Sequence, residues 1–145
     1  MTDLTLETAN KIVAAAIAAG RNKKLKLLAV AVLDARGALK SFGAEDGTSL
    51  KRGEIAIGKA MAALDFGLGT RAIAKMAKDR PFFITSVAGS IGGPFVPVPG
   101  GVLVKDKGGA IVGAVGISGD VSDNDEAAAV AGIEAAGLVA DPGSD

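Results

Sequence analysis

The chain has 145 residues, 49% of them hydrophobic, with 16 basic side chains balanced by 16 acidic ones. This length and apolar content fit one compact domain with a complete core, and balanced charge without a basic block argues against nucleic acid or an anionic membrane as partner. The chain has no Cys, His, Tyr or Trp, which excludes disulfides, thiolate nucleophiles, zinc-thiolate sites and imidazole as general base or metal ligand. Any catalysis must draw on carboxylates, Lys, Arg, hydroxyls or backbone groups. No apolar run approaches the roughly 20 residues of a spanning helix. The start, MTDLTLET, has neither the basic nor the apolar part of a signal peptide, so a cytoplasmic protein is expected.

Thr5 is the expected N-cap of a first helix over residues 6–22, whose apolar stripe runs through Ala9, Ile12, Val13, Ala16, Ile17 and Gly20. The continuous apolar run Leu27–Leu33 is too short for a helix and reads as a strand. Asp34-Ala-Arg-Gly37 then forms a turn, and Ala38–Phe42 is the partner strand of a hairpin. The loop that follows carries two acids, Glu45 and Asp46, expected to be solvated.

Thr48 or Ser49 is placed to cap a second helix with apolar Leu50, Ile57, Ala60, Met61 and Leu64 and charged Lys51, Arg52, Glu54 and Lys59. Lys59 lies between Ile57 and Ala60, where it faces a cleft or snorkels outward, and snorkelling is the expected outcome. Phe66-Gly-Leu-Gly69 stops this helix, and Thr70 can cap a short one reaching about Asp79. Beyond the break at Arg80-Pro81, the cluster Phe82, Phe83, Ile84 and Val87 suits a short helix packed over the sheet.

Residues 91–118 combine a loop rich in glycine and proline, an apolar strand, a lysine-flanked turn and a second apolar strand. Backbone geometry matters here more than side-chain chemistry, and such a loop suits the rim of a pocket, an intersubunit contact or a plain turn. The polar turn at 119–126 offers Ser122 or Asp123 as caps for a last helix through Ala127, Val130, Ala131, Ile133 and Leu138. Its acids lack the glycine and the distal bidentate acid of a calcium loop, so dipole and cap chemistry is the simpler account, and no metal site is expected. Residues 139–145 read as a frayed tail. Gly67-Leu-Gly-Thr-Arg71 lacks the Walker lysine pattern, and Gly100-Gly101 precedes a strand where a dinucleotide fingerprint needs a helix.

The order of these elements, with LDARG, ALDFG, PVPGGVLVKDKGGAIVGAVGISG and the final DNDEAAAVAG, resembles the GlcG/HbpS family of haem-binding-type proteins. It is similar as well to the C-terminal module of PduO-type corrinoid adenosyltransferases. The likeness covers about residues 3–138 and is most specific at Gly100-Gly101, at VGAVGISG and at Asp125-Glu126. It implies a single α/β (α+β) domain with a central, mainly antiparallel sheet flanked by helices, assembled as a homo-oligomer. It also implies haem or a corrinoid as the cofactor class, from which this chain departs by having no histidine.

Three functional readings follow, one of them a purely structural or interaction module whose apolar, glycine-rich surface is an oligomer interface. In the first the chain is a small-ligand binding module for a tetrapyrrole or a small organic acid. Its pocket would combine the Gly100-Gly101 loop, the helix with Lys59 and the aromatic patch Phe42, Phe66 and Phe95, with Arg52, Lys59 or Arg71 neutralising a carboxylate. In the second it is an enzyme of aromatic or carboxylic acid catabolism. Asp125, Glu126 or Glu54 would then serve as general acid/base and Lys59 as electrostatic stabiliser, which requires a partly buried carboxylate of raised pKa.

Overall fold

A computed structural model describes residues 4–145 of the chain, so the start of the expected core at Asp3 lies outside the described residues. Ten elements follow one another: α1 (Leu6–Asn22), β1 (Ala29–Asp34), β2 (Leu39–Ala44), α2 (Arg52–Phe66), α3 (Thr70–Asp79), α4 (Pro81–Ile91), β3 (Gly101–Lys105), β4 (Ile111–Ser118), α5 (Ser122–Ala135) and β5 (Val139–Asp141). The strands form one sheet in the order β2-β1-β4-β3-β5, and every neighbouring pair is antiparallel. The expected α+β architecture is what the chain adopts.

The turns follow from local chemistry. Asp34 Oδ1 accepts hydrogen bonds from the amides of Arg36 (2.9 Å) and Ala38 (3.0 Å), and Gly37 takes the left-handed conformation that closes the hairpin. The β3–β4 turn repeats the device: Asp106 Oδ1 accepts from the Ala110 amide at 2.9 Å, and Gly109 is left-handed. Both turns share the pattern Asp-x-x-Gly-Ala, at 34–38 and 106–110.

Side-chain alternation divides the sheet into two faces. Val30, Val32, Val102, Val104, Val115 and Ile117 join α1 and α5 in the main core. Ala29, Ala31, Leu33, Leu103 and Ala114 face Ala56, Ala60 and Ala63 of α2. The second face is lined with small residues because α2 lies very close to it. A Cβ on Gly116 would come within 1.8 Å of the Ala56 carbonyl oxygen, and one on Gly101 within 2.3 Å of the Lys59 oxygen. The continuous apolar character of β1 thus reflects burial on both faces.

Thr5 caps α1 as its sequence requires, its Oγ1 accepting from the Thr8 amide at 3.1 Å. Several local expectations are corrected. Helix α2 begins at Arg52 with Lys51 as N-cap, so neither Thr48 nor Ser49 caps it by a side chain. Gly69 is the N-cap of α3, and the Thr70 hydroxyl turns to the buried Gly101 backbone instead. Val121 is the N-cap of α5, in place of Ser122 or Asp123.

Helix α4 packs on α3 and not over the sheet; only Ile84 is buried, and Phe82 stands 85% exposed. Glu45 is not a solvated acid, since its carboxylate accepts from the Leu28 amide at 2.9 Å and pairs with Arg21 at 2.8 Å. Residues 139–145 are not a frayed tail. Val139–Asp141 pairs with β3, Lys105 Nζ reaches Asp141 at 2.7 Å, and the Pro142 carbonyl accepts from the Arg71 amide at 3.2 Å.

Candidate functional site

The residues singled out from the sequence do not form one pocket. Lys59, expected to snorkel, is 2% exposed. From the middle of α2 its Nζ donates to the Ile117 carbonyl at 2.9 Å and to Asp125 Oδ2 at 3.1 Å. The other Asp125 oxygen accepts from the Asp120 amide at 2.9 Å. Burial lowers the pKa of Lys59 and raises that of Asp125, and each partner partly offsets the shift of the other. Both Asp125 oxygens are bonded and Lys59 Nζ has two acceptors, so the pair joins α2, β4 and α5 in the interior.

The Gly100-Gly101 step exists to pass this pair. A Cβ on Gly100 would lie 2.8 Å from Lys59 Nζ, and Thr70 Oγ1 both accepts from the Gly101 amide (2.8 Å) and donates to its carbonyl (3.1 Å). Of the aromatic trio, Phe66 and Phe95 meet with ring centroids 5.7 Å apart in the cluster beside α3. Phe42 lies on the edge strand β2 against Gly53, at the far side of the sheet. Glu54 is exposed and pairs with Lys51.

What the fold does present is a cleft of about 740 Å³ between α3, the proline loop and the first turn of α5. One wall is Arg71, Lys75, Lys78 and Asp79 of α3, the second is Pro97-Val98-Pro99, and the third is Val121, Ser122 and Asp123, with Asp145 beside them. The proline loop is fixed from behind, where the Val96 amide donates to the Gly58 carbonyl at 3.0 Å and Val96 fills the space a Cβ on Gly58 would need. Arg71 anchors the floor. Its Nε and Nη2 bind the Glu126 carboxylate at 2.9 and 3.2 Å, Nη2 also reaches Asp123, and Nη1 lies 3.4 Å from Asp145. The hydrogen bonds to Glu126, then those to Asp123, hold the Arg71 pKa further above its ordinary value. Lys75 is paired with Asp79 at 2.9 Å, while Lys78 makes no ion pair among the described residues.

Of the expected ligand-binding residues, Arg71 alone lines this cleft. Pro97, Val98 and Pro99 were expected only as part of a loop suited to a pocket rim, and Lys75 and Lys78 were not singled out, although a signal for them stands in the sequence. Arg71, Lys75 and Lys78 recur at i, i+4 and i+7, which puts three cations on one helical face, and the prolines mark the rim of a preformed loop.

The α+β domain thus carries a cleft in which three cations and three carboxylates stand beside an apolar proline loop. The chain belongs to the family described as haem degrading protein HbpS-like, whose model matches residues 4–134. Among solved structures it is similar to HbpS, at 32% identity over 92% of this chain and 90% of that one, with a TM-score of 0.79. A double mutant of HbpS from Streptomyces reticuli matches at 31% identity over 92% and 87% of the two chains, again with a TM-score of 0.79. A PduOC:haem complex shares the fold at 21% identity, covering 94% of this chain and 97% of that chain with a TM-score of 0.84. No curated protein matches.

The cleft supplies no ligand of the usual kind to a haem iron. His, Cys and Tyr are absent from the whole chain, and the two described methionines, Met61 and Met76, pack into hydrophobic clusters. Among the described residues no group of three or more Asp or Glu is arranged to hold a metal ion, and no helix is long and apolar enough to cross a membrane.

Proposed function

We propose that this chain is a binding module for a flat, carboxylate-bearing ligand of the tetrapyrrole class, held by its body and its carboxylates and not through a metal. The observation that carries this reading is the cleft of about 740 Å³ in which the apolar strip Pro97-Val98-Pro99 stands opposite an edge of α3 where Lys78 has no ion-pair partner among the described residues. Apolar surface on one side suits a macrocycle, and on the other Lys78, with Lys75 once it leaves Asp79, suits its acid groups. Membership of a family named for haem, and likeness to a fold solved with haem, support the ligand class. The lack of an imidazole, thiol or phenol in the chain supports metal-independent binding.

Fluorescence and absorbance titrations with haem and with metal-free protoporphyrin test this directly. Dissociation constants within about threefold of one another are expected, and Lys75→Ala/Lys78→Ala should weaken both by about three- to tenfold, the range for partly exposed charge contacts. Binding of haem alone, or of neither porphyrin, would overturn the reading. Small aromatic acids serve as a third arm, since their binding in place of porphyrins would assign the cleft to organic acids. The enzymatic alternative gains nothing from the site, because Lys59 and Asp125 spend their polar atoms on each other and on the backbone.

The module is further proposed to work as a homo-oligomer. Helix α4 exposes Phe82 and Phe83 side by side, and soluble monomers rarely leave such apolar surface uncovered. Sedimentation of the purified chain at micromolar concentration should give a mass above that of one protomer, and Phe82→Asp should lower it.

A further inference from the structure

A second cavity, of about 350 Å³, lies beside the start of α2 and takes no part in the cleft. Its polar lining is Arg52, Lys26, Thr48 and Ser49, and Leu27, Gly47 and Gly119 complete what is an open groove. Arg52 distinguishes the site. Arg21, Arg36 and Arg71 each bind a carboxylate, and Arg80 lies over the Phe83 ring at 4.6 Å. Arg52 has neither an acid nor an aromatic partner among the described residues; its Nη1 donates to the fully buried Ser118 Oγ at 3.1 Å, which orients the half-buried guanidinium.

Of the acids near this cavity Asp120, Glu45 and Glu54 are engaged, while Asp46, next to Gly47, is exposed and makes no hydrogen bond or ion pair among the described residues. Asp120 accepts from the Lys26 amide (2.7 Å), the Val121 amide (2.8 Å) and Asn124 Nδ2 (2.8 Å). Glu45 is held by Arg21 and the Leu28 amide, and Glu54 by Lys51. The Lys26 ammonium and the Thr48 and Ser49 hydroxyls make no hydrogen bond or ion pair within the described chain. The backbone packs closely on one side, where a Cβ on Gly119 would sit 2.1 Å from the Leu27 carbonyl oxygen and one on Gly47 would sit 3.0 Å from the Leu27 side chain.

From these observations we infer a second binding site, distinct from the cleft, for the phosphoryl group of a small phosphate monoester. A guanidinium, an ammonium and two hydroxyls around one cavity supply more donors than the two oxygens of a carboxylate can use, and a phosphoryl group offers three strong acceptors and a second charge. Helix α2 starts here without a side-chain cap, and its dipole adds positive potential of the same sign. The remaining volume accommodates a small organic body.

The test is calorimetric titration of the full chain with glycerol phosphate, inorganic phosphate and acetate. Saturable binding at one site is expected for both phosphates, with acetate at least tenfold weaker. Arg52→Ala should reduce phosphate affinity at least tenfold and Arg52→Lys less, Lys26→Ala about threefold, and Lys78→Ala in the cleft should leave it unchanged. Because Arg52 also holds Ser118, the exposed Lys26→Ala and Ser49→Ala variants report on the site if Arg52→Ala fails to fold. Absence of saturable phosphate binding, acetate binding as tightly as phosphate, or unchanged affinity in Lys26→Ala and Ser49→Ala would overturn the inference. None of these outcomes depends on whether the cleft binds a porphyrin.

Discussion

Lys59 Nζ lies 3.1 Å from Asp125 Oδ2 with both side chains at most 3% exposed, and the two residues are contributed by helices on opposite faces of the sheet. The pair therefore crosses the domain at the end of β4. Desolvating two charges is costly, and the cost is met only while each has the other. Lys59→Met or Asp125→Asn alone should destabilise the chain by about 3–5 kcal/mol, because each leaves a buried partner unpaired. The double variant Lys59→Met/Asp125→Leu should lose much less than the sum of its singles in urea unfolding. Strict additivity would show that the two residues do not act as a unit.

Thr70 predicts a smaller but sharp effect. Its hydroxyl makes both hydrogen bonds available to the buried Gly101 peptide groups, at 2.8 and 3.1 Å. Thr70→Val keeps the shape and removes both, leaving buried backbone groups unsatisfied at a cost of about 1–3 kcal/mol. Thr70→Ser should retain most of the stability in thermal unfolding. Equal loss in both variants would trace the effect to the methyl group instead.

The glycines separate into those that admit helix α2 and those that do not. Gly116→Ala would place a methyl 1.8 Å from the Ala56 carbonyl oxygen, a backbone atom that cannot step aside, so a loss of about 1–3 kcal/mol or more is expected. Gly89→Ala, within α4 and facing open space, should instead stabilise by up to about 1 kcal/mol through helix propensity. Unfolding midpoints of the two variants should move in opposite directions.

Acid sensitivity is expected from Asp120 and Asp141. Hydrogen bonds from the Lys26 amide, Asn124 and the Val121 amide hold the Asp120 pKa below its ordinary 3.8. The hydrogen bond from Lys105 does the same for Asp141. With the folded pKa below the unfolded one, the stabilisation is fully present above the ordinary value and is lost as pH falls through the folded pKa. The unfolding midpoint should therefore drop below about pH 4, and Asp120→Asn/Asp141→Asn should flatten that drop. An unchanged pH profile in the double variant would remove both residues from the account.

Local sequence carried much of the architecture. The stripe of α1, its Thr5 cap, the paired Asp-x-x-Gly-Ala turns and the apolar runs of β1 and β4 are each decided within a few residues by periodicity and turn chemistry. The resemblance of the whole chain to one family then settled the sheet that joins them. The caps of α2 and α5 were misplaced because several adjacent polar residues could serve, and the choice depends on where the chain arrives from. Strand β5 was invisible because three residues carry no periodicity and are ordered by β3, Lys105 and Arg71 from elsewhere in the chain.

The charged residues show the division most clearly. Sequence alone determined what chemistry the chain can possess: no imidazole, thiol or phenol, and hence a domain whose polar work rests on Lys, Arg, carboxylates and backbone groups. Only the tertiary structure decided which of these groups are spent. Lys59 and Asp125, separated by 66 positions, consume each other in the interior, and Arg71 is bound by Glu126, Asp123 and Asp145. Arg52 is left to the cavity beside α2 and Lys78 to the cleft, because pairing is set by which elements the sheet brings within a few ångströms, and a charge looks the same in sequence whether or not its partner arrives.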